Sequence, residues 1–589
     1  MSNNKKFFIF LLVFIFALGI FLRSYNFGDW LHFELDQSRD ARVISLAVEN
    51  GPENLPLLGP RAGGTFLRLG PVFYYFEYLS AVIFGNTPSG MAMANLIFSI
   101  CSILVFYALC REYFSKKISI SLVAIFSVSL FLVMYSRFAW NPNSLVFFEL
   151  LVFYSLLKIV NHEEKRKGMW LVIFSVSLAV STQLHFLALL ALPVISVIFL
   201  LIKRPSISWR FWVASVAVFL IFYSPVVLNE IKTGGDNAKE FVGAISGKSN
   251  KEEHSMVASL IRNYQENSIA NLLIISGSEK GESLRIDGVS SQNRSLICDK
   301  DCKKNLPYTI AALALFSAGI LLLIKKIIFR KDVPNRNFIL MITIWFFVSF
   351  GMFTLLAFNL SPRFFLLTAP IYLIFFGFLL ELFSKIWKGW LVVIISCVFV
   401  ATNLYFVFVR FNQLKLAPTK NVEIEPDRIL KERARVTLQQ EESIVEFISK
   451  KAQKNKLPIF LKSDPQYERS FKYLLENDFS VDSFKPGSLY ASGNYFLIWR
   501  TSSNVISKNE KYLQFFDLVE EKKFGTLSVF DLAPKKEFLD LAPVKNISKE
   551  VEPNNPRRYT WKELFSSGAE NNDKTDSEEE ESLIQEDGI

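Results

Sequence analysis

The chain has few cysteines, few charged residues and few of the motifs that mark familiar enzyme classes. Its 589 residues include only 5 Cys, too few for a disulfide-rich secreted scaffold. Only 20% of the residues are charged, against about a quarter in an ordinary soluble protein. No internal repeat is visible, and neither a G-x-S-x-G nor an H-E-x-x-H motif occurs. The phosphate-binding P-loop is also missing, which argues against an ATP-driven pump.

Apolar and aromatic residues are abundant instead. Hydrophobic residues make up 51% of the chain, 58 residues are Phe, and the mean hydropathy is +0.29. This composition predicts an all-α polytopic membrane protein. In a soluble protein the net charge of +10 would suggest nucleic acid, but a polytopic protein collects Lys and Arg in its cytoplasmic loops. Since no RNA- or DNA-binding motif is present, we expect a lipid bilayer and no nucleic acid as partner.

Spanning helices need about 20 mostly apolar residues, and the sequence offers about eleven such segments. Polar residues around His185 divide one long apolar stretch into two helices. The first segment follows Lys5 and Lys6 without a good cleavage site, so we interpret it as an uncleaved helix. The predicted spans are Phe7–Leu22, Ser89–Leu109, Ile118–Tyr135, Leu145–Val160, Met169–Leu184, Phe186–Ile202, Phe211–Leu228, Tyr308–Ile324, Phe338–Phe358, Phe364–Phe383 and Trp390–Val409.

Lys and Arg residues cluster in alternate connections, for example at 165–167 and 325–331. The opposite short connections hold only isolated cations, Arg137 and Arg363. By the positive-inside rule, the N-terminus is cytoplasmic in a multi-pass protein of the plasma (inner) membrane. An odd number of spans then puts the C-terminus on the extracytoplasmic side.

This topology predicts three parts. Residues 1–410 form the membrane domain, with outer loops at 23–88 and 229–306, the second of them polar. Residues 411–565 form a small extracytoplasmic α/β domain, and residues 566–589 form an acidic disordered tail. The elements expected in the α/β domain are a helix over Pro426–Gln453, a strand over Pro458–Lys462, a helix over Pro465–Asn477, and strands near Tyr495–Trp499 and Leu527–Leu532.

Two cysteines, Cys298 and Cys302, lie close together in the second outer loop. An extracytoplasmic location permits a disulfide, and free thiols are equally compatible with the sequence. Metal binding by this pair is disfavoured, because no His or further Cys lies nearby.

The first outer loop contains the sequence D-Q-S-R-D-A-R. Asp36 and Asp40 are four residues apart and share one face of a helix, with Arg39 between them. One interpretation is a solvated helix with local ion pairs. The other is a carboxylate general base flanked by cations that hold a phosphate. The residues alone leave both open.

Other polar residues lie at the predicted outer ends of the spans. An Arg at a helix end is usually an anchor, but Arg137 and Arg363 break the positive-inside pattern and thereby favour an anionic ligand. A single His such as His185 is more often a hydrogen-bonded structural residue than a catalyst. The candidates for substrate binding are Arg39, Arg61, Arg137, Asn141, His185, Glu230 and Arg363.

Five segments, taken in order and sidedness, resemble the GT-C superfamily of membrane glycosyltransferases, of the protein-mannosyltransferase and aminoarabinose-transferase type. They are D-Q-S-R-D-A in the first outer loop, G-P-x-x-Y-Y, R-x-x-W-N-P, Q-L-H-F and S-P-R-F-F. The resemblance covers roughly residues 1–410. It implies a GT-C-like fold and an enzyme that transfers a sugar from a polyprenyl-phosphate carrier to a cell-envelope lipid, glycan or protein, with inversion at the anomeric carbon.

The resemblance also implies roles for individual residues. Asp36 would be the catalytic base, and Arg39, Arg137 and Arg363 would stabilise the leaving phosphate, with His185 as a hydrogen-bond partner. The family often has a second acidic residue directly after the first, but Gln37 stands there, so Asp40 is the nearest substitute. We expect no metal and no cofactor.

Three other functions remain as alternatives. A transporter or flippase of lipid-linked saccharides would favour charges near mid-membrane and repeated halves, neither of which the sequence shows. An O-antigen-type polymerase or ligase would handle similar carriers but lack the first-loop carboxylate. A structural protein that binds partners through its outer domain would leave the first-loop charges unexplained.

Overall fold

The computed structural model describes most of the membrane domain and most of the α/β domain. The described residues are 3–63, 65–246, 255–279, 285–287, 295–297, 302–329, 335–386, 389–476, 478–487, 489–503, 510–539 and 557–565. The predicted tail at 566–589 lies outside them, as do Cys298 and the side chain of Cys302. The state of this thiol pair therefore stays an open prediction.

Helices dominate the first part of the chain and a small sheet marks the second. The helices are α1 (Asn3–Ser24), α2 (Leu35–Asn50), α3 (Val72–Phe84), α4 (Pro88–Arg111), α5 (Lys116–Val128), α6 (Leu130–Tyr135), α7 (Leu145–Val160), α8 (Lys167–Leu184), α9 (Phe186–Lys203), α10 (Trp209–Thr233), α11 (Asp236–Ser246), α12 (Met256–Ser276), α13 (Cys302–Ile328), α14 (Arg336–Leu355), α15 (Ala369–Ile386), α16 (Trp390–Leu416), α17 (Leu438–Asn455), α18 (Glu468–Leu475), α19 (Glu510–Phe515) and α20 (Trp561–Phe565). The strands are β1 (Arg285–Asp287), β2 (Ser295–Ile297), β3 (Ile459–Ser463), β4 (Val481–Asp482), β5 (Asn494–Arg500), β6 (Phe516–Phe524) and β7 (Leu527–Pro534).

Within the described residues, ten helices are long and apolar enough to cross a membrane. They correspond to ten of the predicted spans, and the chain is a multi-pass membrane protein. Those helices are α1, α4, α7, α8, α9, α10, α13, α14, α15 and α16.

The third predicted span, Ile118–Tyr135, is not one continuous helix. It breaks at Ser129 into α5 and α6. The Ser129 hydroxyl donates to the carbonyl of Ile274, and the amide of Leu130 donates to Oδ1 of Asn403. These buried partners, from α12 and α16, satisfy polar groups that a break would otherwise leave unpaired in an apolar environment.

The division at His185 is confirmed, since α8 ends at Leu184 and α9 begins at Phe186. His185 has an extended backbone, and its Nδ1 accepts a hydrogen bond from the Leu187 amide over 3.1 Å. The imidazole thus caps the start of α9 in the way a polar N-cap side chain does.

Residues 229–306, predicted as a polar outer loop between two spans, contain helices that were not predicted. The helices α11 and α12 occupy this segment, and the second half of α12 is buried against the bundle. Helix α12 was not predicted because Asn263, Asn267 and Asn271 make its sequence polar. These three residues are nevertheless buried together with the apolar residues of its second half.

The α/β domain is confirmed, with one boundary corrected. The predicted helix Pro426–Gln453 begins only at Leu438. Before it, Oδ1 of Asp427 accepts hydrogen bonds from the amides of Ile429, Leu430 and Lys431. An Asp side chain that binds nearby amides in this way favours a turn over a helix.

The five-stranded sheet has the order β4-β3-β5-β7-β6, in which β3 is parallel to β4 and β5, and β7 is antiparallel to β5 and β6. The predicted strands match β3, β5 and β7, whereas the short β4 and the exposed, charged β6 were not predicted.

The sheet domain packs directly on the segment that follows α1. The amide of Leu438 donates to the carbonyl of Leu31, and the amide of Gln439 donates to that of Asp29. In addition, the hydroxyl oxygens of Tyr473 on α18 and Ser45 on α2 lie 3.0 Å apart. The domain therefore covers the helix that contains Asp36 and Asp40.

Candidate active site

The polar turns predicted to share one face do converge. Nδ2 of Asn141 donates to the carbonyl of Leu184 over 2.7 Å and joins the turn before α7 to the end of α8. The ring of His185 lies 5.4 Å from that of Phe364, in the turn before α15. A Cβ on Gly70 would lie 2.2 Å from Oε1 of Gln183, which shows how closely the first outer loop approaches the end of α8. These contacts assemble one polar surface at one end of the bundle.

Asp36 stands at the centre of this surface, in the first turn of α2. Its Oδ1 accepts a hydrogen bond from Arg39 over 2.9 Å, and its Oδ2 accepts one from the indole Nε1 of Trp140, also over 2.9 Å. The side chain is 34% exposed, so solvent or a ligand reaches it. The carboxylate is held on both oxygens and remains accessible.

The surroundings keep Asp36 ionised. Its partial burial alone would raise the pKa, but Arg39, Arg363, the Trp140 hydrogen bond and Arg469 together lower it below the ordinary value. An ionised, accessible carboxylate can accept a proton at neutral pH.

Asp40 has a different environment, because it is completely buried. Its Oδ1 lies 2.8 Å from a guanidinium nitrogen of Arg39 and accepts a hydrogen bond from the Tyr74 hydroxyl over 3.1 Å. Burial raises the pKa of Asp40 to about 6, against the opposing effect of Arg39. Asp40 lies behind Arg39 and fixes it, while Arg39 in turn holds Asp36.

Gln37, which occupies the position of the family's second acidic residue, caps α2. Its Oε1 accepts from the amide of Glu34 over 3.1 Å, while the Glu34 side chain accepts from the amide of Gln37. This reciprocal capping box explains an amide at this position as a structural feature of the helix start.

Arg363 also lowers the pKa of Asp36, although the side-chain hydrogen bonds to Asp36 come from Arg39 and Trp140. Its guanidinium lies 4.9 Å from the centre of the Trp140 ring and 5.6 Å from that of Phe364. A Cβ on Gly63 would lie 2.9 Å from Nη2 of Arg363, which shows how closely the first outer loop passes. Burial, and secondarily Arg363, lowers the pKa of His185 to about 3, so this imidazole is neutral.

Three of the candidate residues make other contacts in the structure. Arg137 is 3% exposed and donates to the carbonyls of Leu22, Arg23, Tyr25 and Asn26 at the end of α1. Glu230 accepts from the amide of Ala238 at the start of α11. The guanidinium of Arg61 lies 5.1 Å from the ring of Phe66 in its own loop.

The structure adds three residues that were not among the sequence candidates. Trp140 lies in the R-x-x-W-N-P segment and Tyr74 in the G-P-x-x-Y-Y segment. Only their contacts with Asp36 and Asp40 connect them with the site. Arg469, on α18, contributes a positive charge near Asp36. No sequence signal connects a residue of the α/β domain with the first outer loop, so packing alone identifies Arg469.

One cluster of side chains in the described residues has the composition of a metal site. Ligand atoms of His32, Glu34 and Glu432 lie within 4.8 Å of one another. However, Nδ1 of His32 lies 3.0 Å from Glu432, and the other oxygen of Glu432 pairs with Arg410 and Arg435. Two guanidinium groups on one ligand disfavour a cation, so we interpret the cluster as an ion-pair network between the domains.

Comparison with known proteins agrees with this architecture. The sequence model of the family described as dolichyl-phosphate-mannose-protein mannosyltransferase matches residues 69–228. A search of curated protein sequences finds no match.

Two crystal structures of ArnT from Cupriavidus metallidurans have a similar fold. The apo structure is 10% identical and has a TM-score of 0.50, covering 90% of this chain and 98% of ArnT. The structure bound to undecaprenyl phosphate is 11% identical, with the same TM-score and coverage. These findings confirm the resemblance that the motifs predicted: the chain has the fold of the GT-C superfamily of membrane glycosyltransferases.

Proposed function

We propose that the protein is an inverting glycosyltransferase that moves a sugar from a polyprenyl-phosphate carrier to an acceptor of the cell envelope. The observation that supports it most is the accessible Asp36 carboxylate, held by Arg39 and Trp140 with Arg363 beside it. The undecaprenyl phosphate bound to ArnT, a protein of similar fold, supports a lipid phosphate as the carrier.

In the proposed reaction, an acceptor hydroxyl oxygen attacks the anomeric carbon of the sugar. The bond from that carbon to the phosphate oxygen breaks, and polyprenyl phosphate leaves with the electron pair. Asp36 takes the proton of the attacking hydroxyl as general base. Attack opposite to the leaving group inverts the anomeric configuration.

Charge develops on the phosphate as it leaves, and a cation must stabilise it. Arg363 suits this role because it is stacked on Trp140 and does not donate to Asp36. Arg39 pairs with Asp36 and Asp40, so we assign it to positioning the base. Arg469 adds positive charge from the α/β domain.

The orientation of the protein follows from the same proposal. The Asp36 surface and the α/β domain lie at one end of the bundle, and the Lys- and Arg-rich loops predict that this end faces outward. We propose the plasma (inner) membrane as the location, with residues 1–410 as the catalytic membrane domain and 411–565 as an extracytoplasmic domain that closes over it.

The test is turnover by the purified protein in lipid with a panel of polyprenyl-phosphate sugars and candidate acceptors. We expect one donor to release polyprenyl phosphate and to form a product of inverted configuration. If folded protein releases polyprenyl phosphate from none of the donors but moves lipid-linked saccharides across vesicles, the protein is a transporter and the proposal is wrong.

A further inference from the structure

The last described segment of the chain, residues 557–565, returns to the first outer loop. We call it the C-terminal strap. The amide of Leu57 donates to the carbonyl of Tyr559 over 2.8 Å, and the amide of Trp561 donates to the carbonyl of Leu55 over 3.2 Å. Pro56 and Thr560 face each other between these bonds as an antiparallel bridge. The strap thus pairs with the loop by main-chain hydrogen bonds, as an added strand would.

The strap is also bound to α10 by a single buried amide. Nδ2 of Asn229 donates to the carbonyl of Arg557 over 3.2 Å, and its Oδ1 accepts from the amide of Tyr559 over 3.0 Å. Asn229 is completely buried, although only two other side chains of α10, Ser215 and Pro225, are buried. A polar side chain on such a helix is costly unless its groups are paired. The strap supplies both partners.

The strap also contacts two neighbouring tyrosines of α3, Tyr74 and Tyr75. Nε1 of Trp561 donates to the Tyr75 hydroxyl over 3.0 Å, and that hydroxyl donates to the carbonyl of Pro56 over 3.1 Å. The guanidinium of Arg558 lies 6.0 Å from the ring centre of Tyr74. Since Tyr74 donates to Asp40, a continuous series of contacts runs from the strap to the base.

We propose that the C-terminal strap is a positioning element of the active site. It fixes residues 55–57 and the Tyr74–Tyr75 pair, and so keeps Asp40 and Arg39 in the arrangement that holds Asp36. This inference rests on the proposed transfer reaction. It makes turnover depend on a segment that lies at the far end of the sequence from Asp36.

The test compares two shortened chains with the full-length protein in lipid. One ends after residue 565 and keeps the strap, whereas the other ends after residue 556 and lacks it. Hydrogen exchange at the Leu57 amide measures docking, and release of polyprenyl phosphate measures turnover. We expect the chain that ends after 565 to behave as the full-length protein. The chain that ends after 556 should exchange faster at Leu57 and lose at least about tenfold in kcat, with a smaller change in donor KM.

Rescue distinguishes positioning from general destabilisation. A synthetic peptide of residues 557–565, added to the chain that ends after 556, should restore both protection at Leu57 and kcat. Within the full chain, Arg558→Gln should lower kcat, whereas Lys562→Gln removes the same charge from an exposed position and should not.

The outcomes separate the two claims. Full kcat in the chain that ends after 556, or unchanged exchange at its Leu57 amide, overturns the role of the strap. Failure of the full-length protein to use any donor overturns the proposed transfer reaction instead. In that case the exchange measurement still decides whether the strap holds the loop.

Discussion

The indole Nε1 of Trp140 donates a hydrogen bond to Oδ2 of Asp36 over 2.9 Å, and the face of the same indole lies 4.9 Å from the guanidinium of Arg363. One side chain therefore positions both the proposed base and the proposed phosphate ligand. This arrangement joins the first outer loop to two turns that are distant in the sequence.

Trp140→Phe should separate these two roles. The ring keeps its contact with Arg363, but Asp36 loses a donor to its charged form, worth about 1.5–3 kcal/mol. The pKa of Asp36 then rises. Because transfer needs the ionised base, activity is lost as pH falls, and the acid limb of the pH–kcat profile should move to higher pH. Donor KM should change little.

Trp140→Leu is the matched comparison, since it removes both the N–H group and the aromatic face. It should reproduce the pH shift and in addition raise donor KM. An unmoved acid limb in Trp140→Phe would show that the hydrogen bond does not tune the base.

Arg363 and Arg137 should respond differently to the same change, although both were predicted to bind phosphate. Arg363→Gln should raise donor KM and lower kcat by about a hundredfold together, because the leaving phosphate loses its cation. Arg137→Gln should instead lower the melting temperature, because the carbonyls at the end of α1 lose their donors. Donor KM measured beside thermal unfolding checks this, and an increase in KM for Arg137→Gln alone would reverse the assignment.

A substitution at Arg469 tests whether the α/β domain contributes to the active site. Tyr473 and Glu476, four and seven residues further on, contact Ser45 and Arg42 of α2, so this face of α18 lies toward the first outer loop. Arg469→Gln should raise donor KM by about tenfold, or about 1.4 kcal/mol. Lys472→Gln is the control, because Lys472 pairs with Glu468 of its own helix. Equal KM values in the two variants would place Arg469 outside the site.

The ion pairs of His32 should make the contact between the domains depend on pH. Burial opposes the charge, but Glu34 and Glu432 raise the pKa of His32 to about 9, from 6.5 in the unfolded chain. The raised pKa means that its stabilising effect is complete below pH 6.5 and is lost as pH rises through 9. The melting temperature of His32→Gln should therefore lie furthest below that of the wild type near pH 6. The difference should shrink by pH 9.5, and a constant difference would exclude this role.

The sequence predicted what depends on local pattern. The spacing of Asp36, Arg39 and Asp40 on one helical face and the division at His185 both follow from a few neighbouring residues. The break at Ser129 could not be predicted, because its compensating partners come from α12 and α16. The role of Trp140 could not be predicted for the same reason, because its contacts with Asp36 and Arg363 form only when distant turns pack together.

The different environments of Asp36 and Asp40 could not be predicted from the sequence either. Spacing makes Asp36 and Asp40 equivalent, and both were expected to be catalytic. Burial distinguishes them, because Asp36 is 34% exposed and Asp40 is completely enclosed beside Tyr74. Tyr74 belongs to α3, so the packing of α3 on α2 contributes to this difference, which the spacing of the two residues does not show.

Asp36→Asn and Asp40→Asn, compared in the same transfer assay, show directly whether Asp36 is the catalytic base. Both variants keep side-chain shape and remove one charge beside Arg39. We predict that Asp36→Asn loses transfer by about 10²–10⁴-fold at every pH while remaining folded, because the base is gone. Asp40→Asn should retain measurable transfer with a weakened hold on Arg39. Normal turnover by Asp36→Asn would show that Asp36 is not the base, whatever the behaviour of Asp40→Asn.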